Sequence, residues 1–241
     1  MTNPEEMAPM DIVKVIAVLL HYPQAEVQAA AAELRDAITA APDLPAAERV
    51  ALTTFLARLE EGDLLDLQAE YVATFDRGRR LSLHLFEHIH GESRDRGQAM
   101  VDLLAHYRAA GLEPAVSELP DYLPLFLEYC SLLPAQAARE WLEGVGELLA
   151  LLHARLQRRA SPYAPLFPPL LRLAGVDRER VLEAIAREVA GESDDATPGA
   201  LDRDWQEGPV TFGPDAAAGC TPGRPAGGAS GTQWVAPPRA L

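Results

Sequence analysis

Apolar residues recur along most of the chain at the three- and four-residue spacing of an amphipathic helix. One such stripe joins Leu52, Phe55, Leu56 and Leu59, and a longer one begins at Trp141. No segment shows the sustained alternation of period two that a half-buried strand requires. We therefore predict an all-α fold, a single compact domain of roughly nine or ten helices joined by short loops.

Polar residues and glycines between the stripes indicate where the helices begin and end. Gly111 is the predicted stop of a helix that runs to about residue 110. Short side chains with an acceptor oxygen can cap the first turn of a helix. The predicted caps of this kind are Asp63, Ser93, Ser161 and Asp177.

The composition changes towards the C-terminus. After about residue 190, glycine and proline become frequent and the helical periodicity fades. A stretch with so few apolar residues cannot offset the entropy lost on ordering. We therefore predict a helical domain over 1–207 and a disordered Gly/Pro-rich tail over 208–241.

The net charge of the chain limits the classes of partner that it can bind. The chain carries 36 acidic residues against 21 basic ones, a formal charge of −15. Such a field repels nucleic acid and anionic lipid and attracts basic partners. It suits a helical cleft that takes a basic, amphipathic peptide, with apolar anchors inside and acids on the rim.

The location expected from the sequence is the cytoplasm, without insertion into a membrane. The apolar run 12–20 is too short to span a bilayer and is preceded by acids rather than by basic residues. The two cysteines, Cys130 and Cys220, are too few for a disulfide framework, which favours a reducing compartment.

The densest group of histidines and acids lies within 84–96. A helix through this stretch places His84 and His88 one turn apart, with Glu87 and His90 as further candidate ligands. A metal site needs three or four ligands that converge on one point, and His90 points away from the other two histidines. Two interpretations remain: a polar helix flank followed by a turn, and a metal-dependent helical enzyme that uses His84, Glu87 and His88.

A second dense stretch, 118–133, reads "ELPDYLPLFLEYCSLL". From Tyr122 onward it is apolar on nearly every side, which predicts a helix buried all round, and Pro120 and Pro124 fix the entry of the chain. Glu128 interrupts the run, and a buried carboxylate must be paired or protonated. It is either a structural ion pair with an arginine or a charged group at the base of a peptide groove.

Two segments resemble a known family. "YVATFDRGRRLSLHLFEHIHGESRDRGQAMVDLL" (71–104) and "ELPDYLPLFLEY" (118–129) resemble the dedicated assembly chaperones of respiratory nitrate reductase, the NarJ or delta-subunit family. This family belongs to the redox-enzyme maturation chaperones, a class that includes TorD and DmsD. The resemblance runs from about Val13 to about Trp205, and it implies an all-helical chaperone domain rather than an enzyme.

The resemblance also implies a task. Such a chaperone binds the N-terminal segment of the catalytic alpha subunit in the cytoplasm, and contacts at least one further surface of it. It supports insertion of the molybdenum bis-guanine-dinucleotide cofactor into that client and restrains premature docking at the membrane. It holds no cofactor stably itself, and cofactor-biosynthesis proteins are further candidate partners.

Residue roles follow from the same resemblance. The wider class has an acid–x–Pro–Asp–His signature, which Glu118, Pro120 and Asp121 match, whereas Tyr122 stands where the class prefers histidine. That departure favours a structural or peptide-contact role over one that needs an imidazole. An aromatic-x-x-x-Phe element of the class matches at 71–75. The candidate residues for binding the partner peptide are Tyr71, Phe75, His88, Glu92, Glu118, Asp121, Tyr122 and Glu128; no catalytic or metal-binding residue is expected.

Overall fold

The computed structural model describes residues 8–89, 95–114 and 118–176, together with Ile185 and Val189. These residues form eleven α-helices, which are α1 (Ala8–Leu20), α2 (Ala25–Ala29), α3 (Ala31–Ala40), α4 (Ala46–Glu61), α5 (Leu64–Tyr71), α6 (Leu85–Ile89), α7 (Asp95–Ala109), α8 (Leu123–Leu132), α9 (Ala135–Gly144), α10 (Gly146–Arg158) and α11 (Phe167–Leu173). A π-helical turn, Val72–Asp76, continues α5, and 3-10 turns occupy Arg79–Leu81 and Ala164–Leu166.

The described residues contain no strand, only one isolated antiparallel bridge between His84 and Tyr122. The predicted all-α single domain is confirmed. The predicted boundary at 207 and the tail beyond it lie outside the described residues.

Local signals placed two helix ends correctly. The Asp63 carboxylate accepts hydrogen bonds from the amides of Leu65 (3.0 Å) and Asp66 (3.2 Å), so it caps α5 as predicted. Gly111 follows α7 with φ of +82°, a conformation that glycine adopts without strain. The Ser161 hydroxyl accepts from the amide of residue 163, but a 3-10 turn rather than an α-helix follows it. The predicted caps at positions 93 and 177 lie outside the described residues.

The core is organised around α8, which packs most extensively along α1. Val13 and Ile16 on α1 and Leu123 and Leu127 on α8 are all 0% exposed. Burying aliphatic side chains of this kind contributes about 1.5–3 kcal/mol each. Proline lies in the first turn of α8, where no amide hydrogen bond is lost.

Two expectations from the sequence were wrong in this region. Glu128 on α8 is partly exposed rather than buried, and its carboxylate forms no ion pair with an arginine among the described residues. The helix assumed through His84 begins only at Leu85, because an antiparallel backbone bridge pairs His84 with Tyr122.

Among the described residues, no helix combines the length and the apolar character needed to cross a bilayer.

Candidate functional site

The two stretches singled out by the sequence meet in space. The Leu85 amide donates to the Asp121 carbonyl at 2.9 Å, and the Leu123 amide donates to the Leu83 carbonyl at 2.8 Å. These two backbone bonds flank the bridge between His84 and residue 122. We call this arrangement, residues 83–86 paired with 121–123, the segment crossing. It joins the entrances of α6 and α8, which are almost 40 residues apart in sequence.

Asp121 is the polar centre of the segment crossing. It is 0% exposed, and its carboxylate accepts from the Phe86 amide (3.2 Å) and pairs with Nδ1 of His84 (3.3 Å). The Arg96 guanidinium lies 3.6 Å from the same carboxylate and 3.6 Å from that of Glu87. A buried carboxylate is tolerated where it is paired and hydrogen-bonded. Asp121 therefore fixes the start of α6 and links it to α7.

The two histidines of the site differ in their environments. The hydrogen bond with Asp121 raises the pKa of His84, which favours an imidazolium beside the carboxylate. Burial lowers the pKa of His88, so its ring is neutral at physiological pH and donates from Nε2 to the Ser82 carbonyl at 2.8 Å. Each histidine is thus occupied by a contact within the domain.

A pair of tyrosines lies next to the segment crossing. The Tyr71 hydroxyl donates to the Leu20 carbonyl at 3.1 Å and lies 2.8 Å from the Tyr122 hydroxyl. Because Tyr71 has one proton to give and the carbonyl takes it, Tyr122 donates to the oxygen of Tyr71. Burial raises the pKa of Tyr122 to about 12, so this residue is a neutral phenol. The pair connects α1, α5 and the entrance of α8.

Aromatic rings extend from this pair into the core. The Tyr71 ring contacts those of Tyr22, Phe75 and Tyr163 at centroid distances of 5.5, 4.9 and 5.9 Å. Contacts of this kind stabilise by about 0.5–1.5 kcal/mol each beyond the area they bury. Tyr22 is 37% exposed, so the cluster reaches the surface beside the segment crossing.

The structure divides the predicted peptide-binding residues into two groups. Three of them are buried: Tyr71, Phe75 and Asp121. Four are partly exposed: His88, Glu118, Tyr122 and Glu128. Glu92 lies outside the described residues. The Tyr71 hydroxyl contacts the Tyr122 hydroxyl, and Asp121 is the residue before Tyr122 in the chain. Glu128 lies nearly two helical turns further along, on α8.

The residues proposed as metal ligands do not form a cluster in the described part of the chain. There, no group of three or more His, Cys, Asp or Glu side chains is placed to hold a metal ion. His84 faces Asp121, His88 faces a backbone carbonyl, and Glu87 faces Arg96. His90 lies outside the described residues.

Sequence reasoning missed two partners of the site. Ser82 is 7% exposed; its hydroxyl accepts from the His84 amide, and its carbonyl accepts from His88. Arg96 supplies positive charge beside Asp121. An aspartate in an apolar stretch signals that a cation is needed, but the sequence offers many arginines and no rule that selects one.

The described residues form a single helical domain, and its polar site residues tie distant chain segments together. Comparison with known proteins gives the family. The model of the nitrate reductase delta subunit family matches residues 21–168, and the chain belongs to this family.

Similar proteins carry names that agree with the family. The chain is 50% identical over 207 residues to "Nitrate reductase molybdenum cofactor assembly chaperone NarJ" of Escherichia coli strain K12, covering 85% of this chain and 86% of that relative. It is 46% identical over 216 residues to "Probable nitrate reductase molybdenum cofactor assembly chaperone NarW" of the same strain, covering 88% and 87%. A NarJ relative from Bacillus subtilis is 38% identical over 101 residues, 42% of this chain and 55% of that one. The family and these relatives are assembly chaperones, not catalysts.

Proposed function

We propose that this protein is the assembly chaperone of a respiratory nitrate reductase. It binds the N-terminal segment of the catalytic subunit before the cofactor is in place and supports insertion of the molybdenum bis-guanine-dinucleotide cofactor. It also restrains premature docking of that subunit at the membrane. The work is done in the cytoplasm, and the chaperone itself keeps no cofactor.

The observation that carries this proposal is the 50% identity over 85% of the chain to a named nitrate reductase cofactor assembly chaperone. The charge agrees, because a chain at −15 attracts a basic segment and speeds its encounter. A helical peptide of about 15 residues buries roughly 1,000–1,600 Å² in a groove, which suits micromolar to nanomolar binding.

The peptide surface that we propose lies over the segment crossing. Its direct contacts are the partly exposed candidates, of which Tyr122 offers an aromatic face and Glu118 and Glu128 offer negative charge. The buried candidates Tyr71 and Asp121 act indirectly, since they hold the backbone and the ring of Tyr122 in place. Glu92 remains a proposed contact without a described position.

Calorimetric titration with the first 15 or so residues of the catalytic subunit tests this placement. The double variant Glu118→Lys with Glu128→Lys should weaken binding roughly tenfold, since each exposed charge contributes up to about 1 kcal/mol. Glu33→Lys, at an exposed position on α3, is the matched control and should leave the affinity within about twofold.

Equal affinities for the double variant and the control would place the peptide elsewhere on the domain. Absence of binding by the unmodified protein would refute the proposed client segment itself.

A further inference from the structure

Two exposed apolar side chains lie at opposite ends of Tyr122. The Tyr122 amide donates to the Leu119 carbonyl at 3.1 Å, so Leu119 lies at the backbone end of this tyrosine. At the other end, the Tyr122 hydroxyl lies 2.8 Å from that of Tyr71, whose ring packs against the Tyr22 ring at a centroid distance of 5.5 Å. His21, the residue before Tyr22, packs its ring edge-on against that of Tyr122 at 5.4 Å. We call Tyr22, Tyr122 and Leu119 the apolar strip.

The apolar strip is open to solvent. Leu119 is 45% exposed, Tyr22 is 37% exposed, and Tyr122 is partly exposed. Single exposed apolar residues are normal on a protein surface, whereas neighbouring ones indicate a surface that another molecule covers. The other large apolar side chains that are exposed in the described part of the chain lie on four different helices, α4, α5, α7 and α8: Val50, Leu65, Val101 and Leu132.

Carboxylates from two elements border the apolar strip. Glu118 precedes Leu119 in the chain and is partly exposed, and the exposed Asp76 ends the π-helical turn that follows Tyr71. Burial raises the pKa of Tyr122, and the negative charges of Glu118 and Asp76 raise it further, so both carboxylates lie near its ring. An apolar surface with an acidic border is complementary to a basic, amphipathic helix.

We propose that the apolar face of the client's N-terminal segment docks on the apolar strip, with Tyr22 and Leu119 as its anchor contacts. The occupant is a basic, amphipathic helix, because acids border the strip and because the strip continues the proposed peptide surface at Tyr122 and Glu118. The apolar contacts supply most of the affinity, while the border charges speed the encounter and disfavour acidic competitors. This inference rests on the proposed function and adds to it the residues that contact the segment.

Calorimetric titration of the full-length Leu119→Ser variant with the first 15 or so residues of the catalytic subunit tests the strip. Covering a leucine that is 45% exposed contributes about half of what its full burial does, so the affinity should fall roughly three- to tenfold. Tyr22→Ser should weaken binding in the same way. Val50→Ser, at a 66% exposed position on α4, is the matched control and should change the affinity by less than about twofold. Urea unfolding of each variant checks that the domain is folded.

A photoreactive benzoylphenylalanine at position 119, with position 50 as the control, detects the contact without relying on a loss of affinity. Illumination of the complex should couple the peptide at position 119, through the apolar face of its helix, and not at position 50. If the unmodified chain binds the peptide but Leu119→Ser binds it as well as Val50→Ser does, or if coupling at position 119 does not exceed that at position 50, the proposal is overturned and the proposed function stands. If the unmodified chain does not bind the peptide, both are overturned.

Discussion

Replacement of Asp121 by alanine is the most direct test of how the site is built. The side chain is fully buried and joins the start of α6 to α7 through Phe86, His84 and Arg96. Alanine fits the space but accepts no hydrogen bond. The Phe86 amide would then lose the acceptor that Asp121 provides, while the histidine and the arginine would lose a negative neighbour.

The expected cost follows from the exposure of the three partners. An unsatisfied buried amide costs about 1–3 kcal/mol. The side chains of His84 and Arg96 are 32% and 27% exposed, so water replaces part of what they lose. We add less than about 1 kcal/mol for each of them, as for partly exposed ion pairs. Asp121→Ala should therefore destabilise the domain by roughly 2–4 kcal/mol.

Urea unfolding followed by far-ultraviolet circular dichroism measures this free energy. The matched control is Asp102→Ala on α7, an exposed aspartate that accepts a hydrogen bond from the side chain of Gln98. It should cost less than about 0.5 kcal/mol. If Asp121→Ala costs no more than the control, the buried carboxylate does not organise the segment crossing and the description of the site is wrong.

Three further substitutions test other parts of the structure by the same unfolding assay. Tyr163→Phe should be neutral or stabilise by up to about 2 kcal/mol, because this buried hydroxyl has no hydrogen-bond partner among the described residues; a clear loss would reveal a partner. Ala160 has φ of +48° at the end of α10, so Ala160→Gly should stabilise by up to about 1 kcal/mol, and destabilisation would contradict the left-handed assignment. Asp121 raises the pKa of His84, so the stability that His84 contributes is complete below about pH 6.5 and is lost as the pH rises through the higher folded pKa. His84→Gln should thus cost more at about pH 5.5 than at about pH 8.5, and an equal cost would exclude the charged pair.

Features governed by neighbours in sequence were predictable. Asp63 caps α5, and Gly111 follows α7, because both depend on groups within a few residues. The all-α fold followed from periodicity in the same way. His84 was different: periodicity extended a helix through it, but backbone bonds to residues 121–123 hold it extended. Such pairing over a long separation leaves no local pattern.

The sequence predicted which residues belong to the candidate site, but not how deeply each of them is buried. Family signatures pointed to Tyr71, Asp121 and Tyr122, and the structure brings these residues together. The sequence did not show that Asp121 is fully buried or that Glu128 is partly exposed. An apolar helix has the same sequence pattern whether its one polar residue faces a neighbouring helix or solvent. Burial depends on packing between helices, which no stretch of sequence encodes alone.

As the proposed assembly chaperone, this protein prepares another protein for its cofactor. The direct measurement is the molybdenum content of nitrate reductase purified from host cells that lack this chain, with the intact gene restored as the control. The predicted result is a catalytic subunit that is present but poor in molybdenum and inactive, with both properties recovered on restoration. Fully metallated, fully active nitrate reductase in the cells that lack the chain would contradict the claim.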